Sequence, residues 1–361
     1  MDTSDRPVGL SHGRRRFLGT AGAAALAVGA TQLGMIGSAK AQTTQAGSAG
    51  SAGLAAAGLA SAGSAFGPVK QINAGVLNVG YVEAGPAHGR PVILLHGFPY
   101  DIHSFVEVTP LLAARGYRVI VPYMRGHGTT TFLSSSTPRD AQQSVMALDV
   151  LALMDALKIE KAILVGYDLG SRSADIIAAL WPQRCKALVS TTGYLITNPV
   201  DNLEPAKPSL EWAFWYQYYF STERGVKGLR EYRHDLGELI WRFNSPTWHF
   251  SEATYNTTAA AFNNPDYVAI IIDNYRWRLD LVPGDPRYAA IEKKLDAAPT
   301  IAVPTVTVDG KYDPFTPPRD GALYRAHFTG KYAHRTLPVG HNVPQEAPHA
   351  FAKAVIDVDH L

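Results

Sequence analysis

The segment Gly166-Tyr167-Asp168-Leu169-Gly170 sets an acidic residue between two glycines, after the apolar run Ala162-Ile163-Leu164-Val165 and before a helical pattern. A strand-turn-helix elbow of this form forces its central residue into a strained conformation and exposes its side chain, and only small neighbours leave room for the turn. A carboxylate at that point needs no base to activate it. It also lies at a helix N-terminus, where the dipole favours an anion by about 0.3–1 kcal/mol. The bland reading, that Asp168 merely caps the helix, does not account for both flanking glycines, and Ser171 lies too far along to be the elbow residue. Attack by a carboxylate on an ester would give a mixed anhydride. Attack on an sp3 carbon bearing a strained or good leaving group gives a stable ester, so epoxides or alkyl halides are the substrates to expect.

Such an ester must then be hydrolysed. Gly340-His341-Asn342 follows a last strand near the C-terminus, and Asp313 stands in the loop after the apolar run around Val306 to Val308. His341 would activate water and Asp313 would orient the imidazole. Asp309 competes for the second role, but its position suits the end of the strand. Nucleophile, acid and histidine come in that order along the chain, as this elbow architecture requires.

The elements that must hold these groups are legible as a rhythm. Val92–Leu95, Arg118–Val121, Ala162–Val165, Ala187–Val189 and Val303–Val308 are short apolar runs without alternation, as in a parallel sheet covered on both faces. Helical stretches lie between them, from Pro138 to Leu157 and from Ser171 to Leu180. The pattern predicts a doubly wound, mostly parallel α/β fold. The rhythm stops between about Leu195 and Ala297, where Trp212, Phe214, Trp215, Tyr216, Tyr218, Tyr219 and Phe220 crowd together. A helical cap over residues 196–295, inserted into a core of residues 68–195 and 296–361, is the expectation.

Composition narrows the class further. With 46% hydrophobic and 18% charged residues the 361-residue chain is globular in type. Setting aside the five basic and two acidic residues before position 42 leaves 28 basic against 29 acidic, so nothing suggests nucleic-acid binding. The single cysteine, Cys185, allows no intramolecular disulfide. His103, His234 and His249 lack metal-ligand spacing, no phosphate-binding glycine loop occurs, and no metal or organic cofactor is expected. Residues 1–41 read as an export signal: Arg14-Arg15-Arg16-Phe17-Leu18, a weakly apolar run, then Ala39-Lys40-Ala41 as a cleavage site. The expectation is export by the twin-arginine route to the periplasm or beyond, with no membrane attachment after cleavage. Residues 42–67 read as a flexible Ala/Gly/Ser linker.

Together these residues resemble the α/β-hydrolase superfamily from Val69 to the C-terminus, and within it the epoxide hydrolases. The resemblance implies that the loop His96-Gly97-Phe98-Pro99 supplies one oxyanion-hole N–H, from Phe98, and that Leu169 supplies the other. Phe214-Trp215-Tyr216-Gln217-Tyr218-Tyr219-Phe220 is similar to a cap segment of soluble epoxide hydrolases, and Asn274-Tyr275-Arg276 to their second cap tyrosine. Tyr216 and Tyr275 are then the implied donors to the epoxide oxygen, with Tyr255 and Tyr267 as competitors for the second place. His96, Pro99, Phe214 and Gln217 are the implied substrate contacts, and a small hydrophobic epoxide plus water the implied substrates. The chain departs from many relatives in having Leu169, not tryptophan or arginine, after the nucleophile and Phe98 where many dehalogenases have asparagine. Both departures weaken the alternative, a haloalkane or haloacid dehalogenase. A non-catalytic ligand-binding protein of the same fold is a third reading, against which every catalytic position is filled.

Overall fold

The computed structural model describes residues 66–315 and 321–361. The expected export signal and nearly all of the expected linker lie outside the described residues. Among the described residues no helix is long and apolar enough to cross a membrane.

Nine strands form one sheet: β1 (Lys70–Ala74), β2 (Leu77–Ala84), β3 (Arg90–Leu95), β4 (Tyr117–Pro122), β5 (Thr131–Phe132), β6 (Ala162–Gly166), β7 (Cys185–Thr191), β8 (Thr305–Gly310) and β9 (Tyr332–Leu337). Their order is β1-β2-β4-β3-β6-β7-β8-β9, with β5 paired to β2. The ladders from β4 through β3 to β9 are parallel, and only the pairs made by β2 are antiparallel. Helices of the core are α1 (Val108–Ala113), α2 (Gln143–Ala156) and α3 (Leu169–Leu180); α4 (Pro208–Ala213), α5 (Trp215–Ser221), α6 (Glu223–Asn244), α7 (Glu252–Ala259), α8 (Tyr267–Arg278) and α9 (Ala289–Leu295) lie between β7 and β8; α10 (Gly321–Arg325), α11 (Val343–Glu346) and α12 (Pro348–Val358) complete the chain.

The strands are apolar throughout because both faces are covered. Successive side chains point to opposite faces: Val92, Leu94, Val119 and Val121 pack with Phe105, Leu112 and Phe351, while Ile93, Leu95, Ile120 and Leu164 pack with Leu153, Met154 and Ile177. Each such fully buried aliphatic side chain contributes about 1.5–3 kcal/mol.

Boundaries shift from the sequence expectation for identifiable reasons. Strand β8 begins at Thr305 and not at Val303, because Pro304 has no N–H to give to a ladder. Helix α2 begins at Gln143 and not near Pro138, and its N-terminus is met from outside by Glu292, which accepts from Ser144 N at 3.1 Å. Packing begins at Phe66, which is buried and stacks on His103 at 5.6 Å. The cap region contains only helices and turns, as expected from its sequence.

Candidate active site

The expected catalytic groups converge beyond the C-terminal ends of the parallel strands, where open α/β sheets bind ligands. Asp168 leaves β6 with φ 53° and ψ −126°, the strained conformation expected of the elbow. A Cβ on Gly166 would lie 2.4 Å from the Gly170 carbonyl carbon, and one on Gly170 would lie 2.0 Å from the Leu95 carbonyl oxygen. Larger residues therefore cannot occupy either position without opening the turn. The Asp168 side chain makes no helix-capping hydrogen bond. Instead its Oδ1 accepts from Phe98 N at 2.8 Å, and Leu169 N–H also favours the ionised carboxylate. Phe98 N–H, expected in an oxyanion hole, thus meets the elbow carboxylate itself.

His341 is buried and turns its two nitrogens toward two acids. Nδ1 lies 2.7 Å from Asp313 Oδ2, and Nε2 lies 3.8 Å from Asp168 Oδ2, an ion-pair distance longer than a hydrogen bond. Asp313 Oδ1 accepts from Phe315 N, which fixes the acid from its other side. Asp309 is buried within β8 beside Tyr324 and His334, so it ends the strand and does not reach His341. Burial alone would push the His341 pKa down, but the charges of Asp313 and Asp168 raise it well above the ordinary imidazole value. Burial would push Asp168 up, but His341 and the N–H groups of Phe98 and Leu169 hold it below the usual carboxylate range. At neutral pH the resting site therefore holds an imidazolium between two carboxylates.

The cap places Tyr216 on α5 and Tyr275 on α8 with their rings edge to face, 5.4 Å apart. Both rings lie against Phe98, at 5.9 and 5.4 Å. Burial and then the charge of Asp168 push the Tyr216 phenol up to about 12, while burial, then Tyr216 and Asp168, push Tyr275 well above the ordinary phenol value. The competitors stand elsewhere: Tyr255 donates to the His234 carbonyl, and Tyr267 packs on Phe262 and His127.

The four implied substrate contacts fare differently. His96 is a correction. Its Nε2 accepts from Met124 N at 3.1 Å and its Nδ1 faces Gly97 O at 3.0 Å, so both ring nitrogens are used inside the protein. Burial first, and the adjacent His127, hold it neutral with a pKa of about 3. It shapes the loop and has no nitrogen left for substrate. Pro99 is buried, and its carbonyl accepts from Trp241 Nε1 at 2.7 Å. Gln217 is buried on α5 directly after Tyr216. Phe214 stacks on Phe315 at 5.3 Å, and Phe315 stands edge-on to His341 at 5.2 Å, so this pair walls the histidine.

Residues that the sequence did not single out complete the surroundings. Tyr100 is fully buried with its ring 6.1 Å from His341 and 5.0 Å from Trp241. Glu346 accepts from Gly340 N and Ser245 Oγ, tying the His341 loop to the end of α6. Arg172 is buried one helical turn after Asp168.

A strained carboxylate in a pair of N–H donors, followed along the chain by an acid and a histidine, on this sheet order, defines a class. The chain belongs to the alpha/beta hydrolase fold family, which it matches over residues 90–348. A crystal structure from Klebsiella pneumoniae subsp. pneumoniae, provisionally assigned as an epoxide hydrolase, is 56% identical, with 82% of this chain and 99% of that one covered and a TM-score of 0.81. Epoxide hydrolase B of Mycobacterium tuberculosis is 32% identical over 160 residues, which is 41% of this chain and 44% of that protein. The epoxide hydrolase of Caballeronia sordidicola is 37% identical over 125 residues, 34% of this chain and 35% of that protein. The chain therefore spans less than half the length of these curated relatives.

Proposed function

We propose that the protein hydrolyses an epoxide to a vicinal diol through a covalent ester on Asp168. The observation that carries this reading is the pairing of an anionic elbow carboxylate with two protonated phenols that pack over the same Phe98 ring. With Oδ1 held by Phe98 N–H, Oδ2 is the oxygen left to attack an epoxide carbon. The C–O bond of the ring breaks, its electrons pass to the ring oxygen, and that oxygen takes a proton from the Tyr216–Tyr275 pair. A phenol with a raised pKa still holds its proton at neutral pH, which is what an acid catalyst for an alkoxide leaving group needs.

Esterification removes the charge of Asp168. His341 then keeps only one of the two carboxylates that raised its pKa, so it gives up its proton, which passes through water to the tyrosinate left by the first step, and it becomes a base. It deprotonates water, the hydroxide adds to the ester carbonyl, and the tetrahedral oxyanion develops at Oδ1, between the N–H groups of Phe98 and Leu169. Collapse frees the diol and restores the carboxylate with one oxygen from water.

A single turnover in ¹⁸O-water with excess enzyme and styrene oxide tests the ester. The expected result is unlabelled diol with label left in Asp168, and no diol from Asp168→Asn. Diol labelled in that first turnover would mean direct attack by water. No diol, with halide released from a haloalkane, would replace the epoxide reading with dehalogenation. The same proposal places the protein outside the cytoplasm, on the strength of Arg14-Arg15-Arg16 and Ala39-Lys40-Ala41; recovery of the mature protein from the cytoplasmic fraction would remove that part.

A further inference from the structure

Buried cations in this protein generally have partners. Arg125, 2% exposed, is held by Asp149 at 2.6 Å and by Asp140 at 3.1 Å. Arg172 is different. It is 6% exposed, its Nε donates to the Leu195 carbonyl at 2.8 Å, and its buried Nη1 has no hydrogen-bond partner. Arg278, at the end of α8, also has a buried guanidinium nitrogen, Nε, without a partner, and its guanidinium stands 5.8 Å from the centre of the Tyr275 ring. Among the described residues neither arginine forms an ion pair. The two sense each other: burial first, and then the charge of Arg278, lowers the Arg172 pKa to about 9, so it remains charged at neutral pH.

Asp175, one turn further along α3, does not fill the gap. One of its oxygens accepts from Leu195 N at 2.8 Å and the other is buried without a partner. Burial pushes its carboxyl up to about 8, so at neutral pH it supplies no counter-charge. Neither Arg172 nor Arg278 then has a carboxylate hydrogen-bonded to it. Buried charge without a partner is costly, and an anion placed between the two guanidiniums would remove that cost.

We propose that Arg172 and Arg278 form an anion subsite beside Asp168, and that the substrate is an epoxide carrying a carboxylate close to the ring. The inference rests on the epoxide-opening reading. One unpartnered guanidinium nitrogen on each arginine matches the two oxygens of a carboxylate, where a phosphate brings three. Guanidinium forks match a carboxylate in shape. Arg172 lies one helical turn, about 6 Å of rise, beyond the nucleophile, so only a few bonds separate acid and oxirane. Tyr275 links the two halves, with its ring against both Tyr216 and Arg278.

Calorimetric titration of the mature protein with 3-phenylpropanoate and with 3-phenylpropanamide tests the subsite without any turnover. The acid should bind about 10- to 100-fold more tightly than the amide, as for a charge-assisted contact. Arg172→Met and Arg278→Met should each shrink that preference; Arg278 is only half-buried, so its variant guards against a folding failure at position 172. In parallel, kcat/KM for 3-phenylglycidate relative to 3-phenylglycidamide should fall in both variants. Equal binding of acid and amide by the wild type, or a preference that survives both substitutions, overturns the subsite. Acid preference in binding with neither epoxide turned over would overturn the epoxide reading and leave the subsite standing.

Discussion

His341 is the residue whose chemistry depends most on its neighbours. In the proposed scheme it is a cation between Asp313 and Asp168 that cannot accept a proton, and it becomes a base only after Asp168 has lost its charge. The order of events is therefore written into one ion pair. His341→Gln should leave the first step open and block the second. Addition of epoxide should give one equivalent of alkyl-enzyme, visible by intact mass as protein plus epoxide, with steady turnover reduced by about 10²–10⁴-fold. An unmodified mass after prolonged exposure would count against the two-step scheme. Asp168, His341 and Asp313 were legible in the sequence because an elbow has fixed spacing and the three roles have a fixed chain order. Tyr216 and Tyr275 were legible only through a resemblance. His96 was misread because adjacency to the oxyanion loop says nothing about where a side chain turns, and this one turns inward to Met124 N. Arg172 was invisible because its significance is the lack of a counter-charge, which only burial reveals.

Among the elements, the cap is fastened to the core at many points. Trp241 of α6 donates to Pro99 O, Thr258 of α7 donates to Asp101 at 2.8 Å, Asn244 O accepts from His341 N at 3.0 Å, and Asp273 of α8 accepts from Ala141 N at 2.6 Å. These bonds hold the cap against the core on the side where both cap tyrosines meet Phe98. The fastening by α9 has a measurable energy. Glu292 accepts from Ser144 N at the start of α2 and from the side-chain amides of Gln142 and Gln143 at 3.0 and 3.1 Å. It acts as a helix cap supplied from across the chain. Glu292→Ala should cost about 1–2 kcal/mol, the range for loss of an N-cap, and lower Tm by about 2–8 °C for a domain of this size. Activity at 25 °C should change little, because Glu292 touches none of the reacting groups; an unchanged melt would mean that solvent replaces it. This contact also explains why sequence placed the start of α2 several residues early: a cap 148 positions away leaves no local signature. Strands β1 and β2 were hidden for a different reason. β1 is an exposed, polar edge strand, and its hairpin lacks the unbroken apolar run that marks the inner strands.

For the molecule as a whole, stability must depend on pH through the same buried charges that serve the site. Asp168 has a depressed folded pKa, so its contribution is present above the unfolded value near 3.9 and is lost as pH falls through the folded one. His341 has a raised folded pKa, so its contribution is complete below about 6.5 and is lost as pH rises through the folded value. Asp175 is raised from the opposite starting point. Folded it keeps its proton to about pH 8, while the unfolded chain releases it near 3.9. Between those values the folded state binds one more proton than the unfolded state, so stability falls with rising pH by up to about 1.4 kcal/mol per unit. Above pH 6.5 the His341 slope adds to it. Asp175→Asn keeps an acceptor for Leu195 N–H and removes only the titration. The expected result is a difference in Tm between variant and wild type that grows in favour of the variant from pH 5 to pH 8 and then levels off, while the wild-type loss assigned to His341 continues in both. A difference that stays constant over this range would mean that Asp175 is ionised in the folded protein, with Arg172 as its counter-ion. Arg172 would then have a counter-charge of its own and no need of a bound anion.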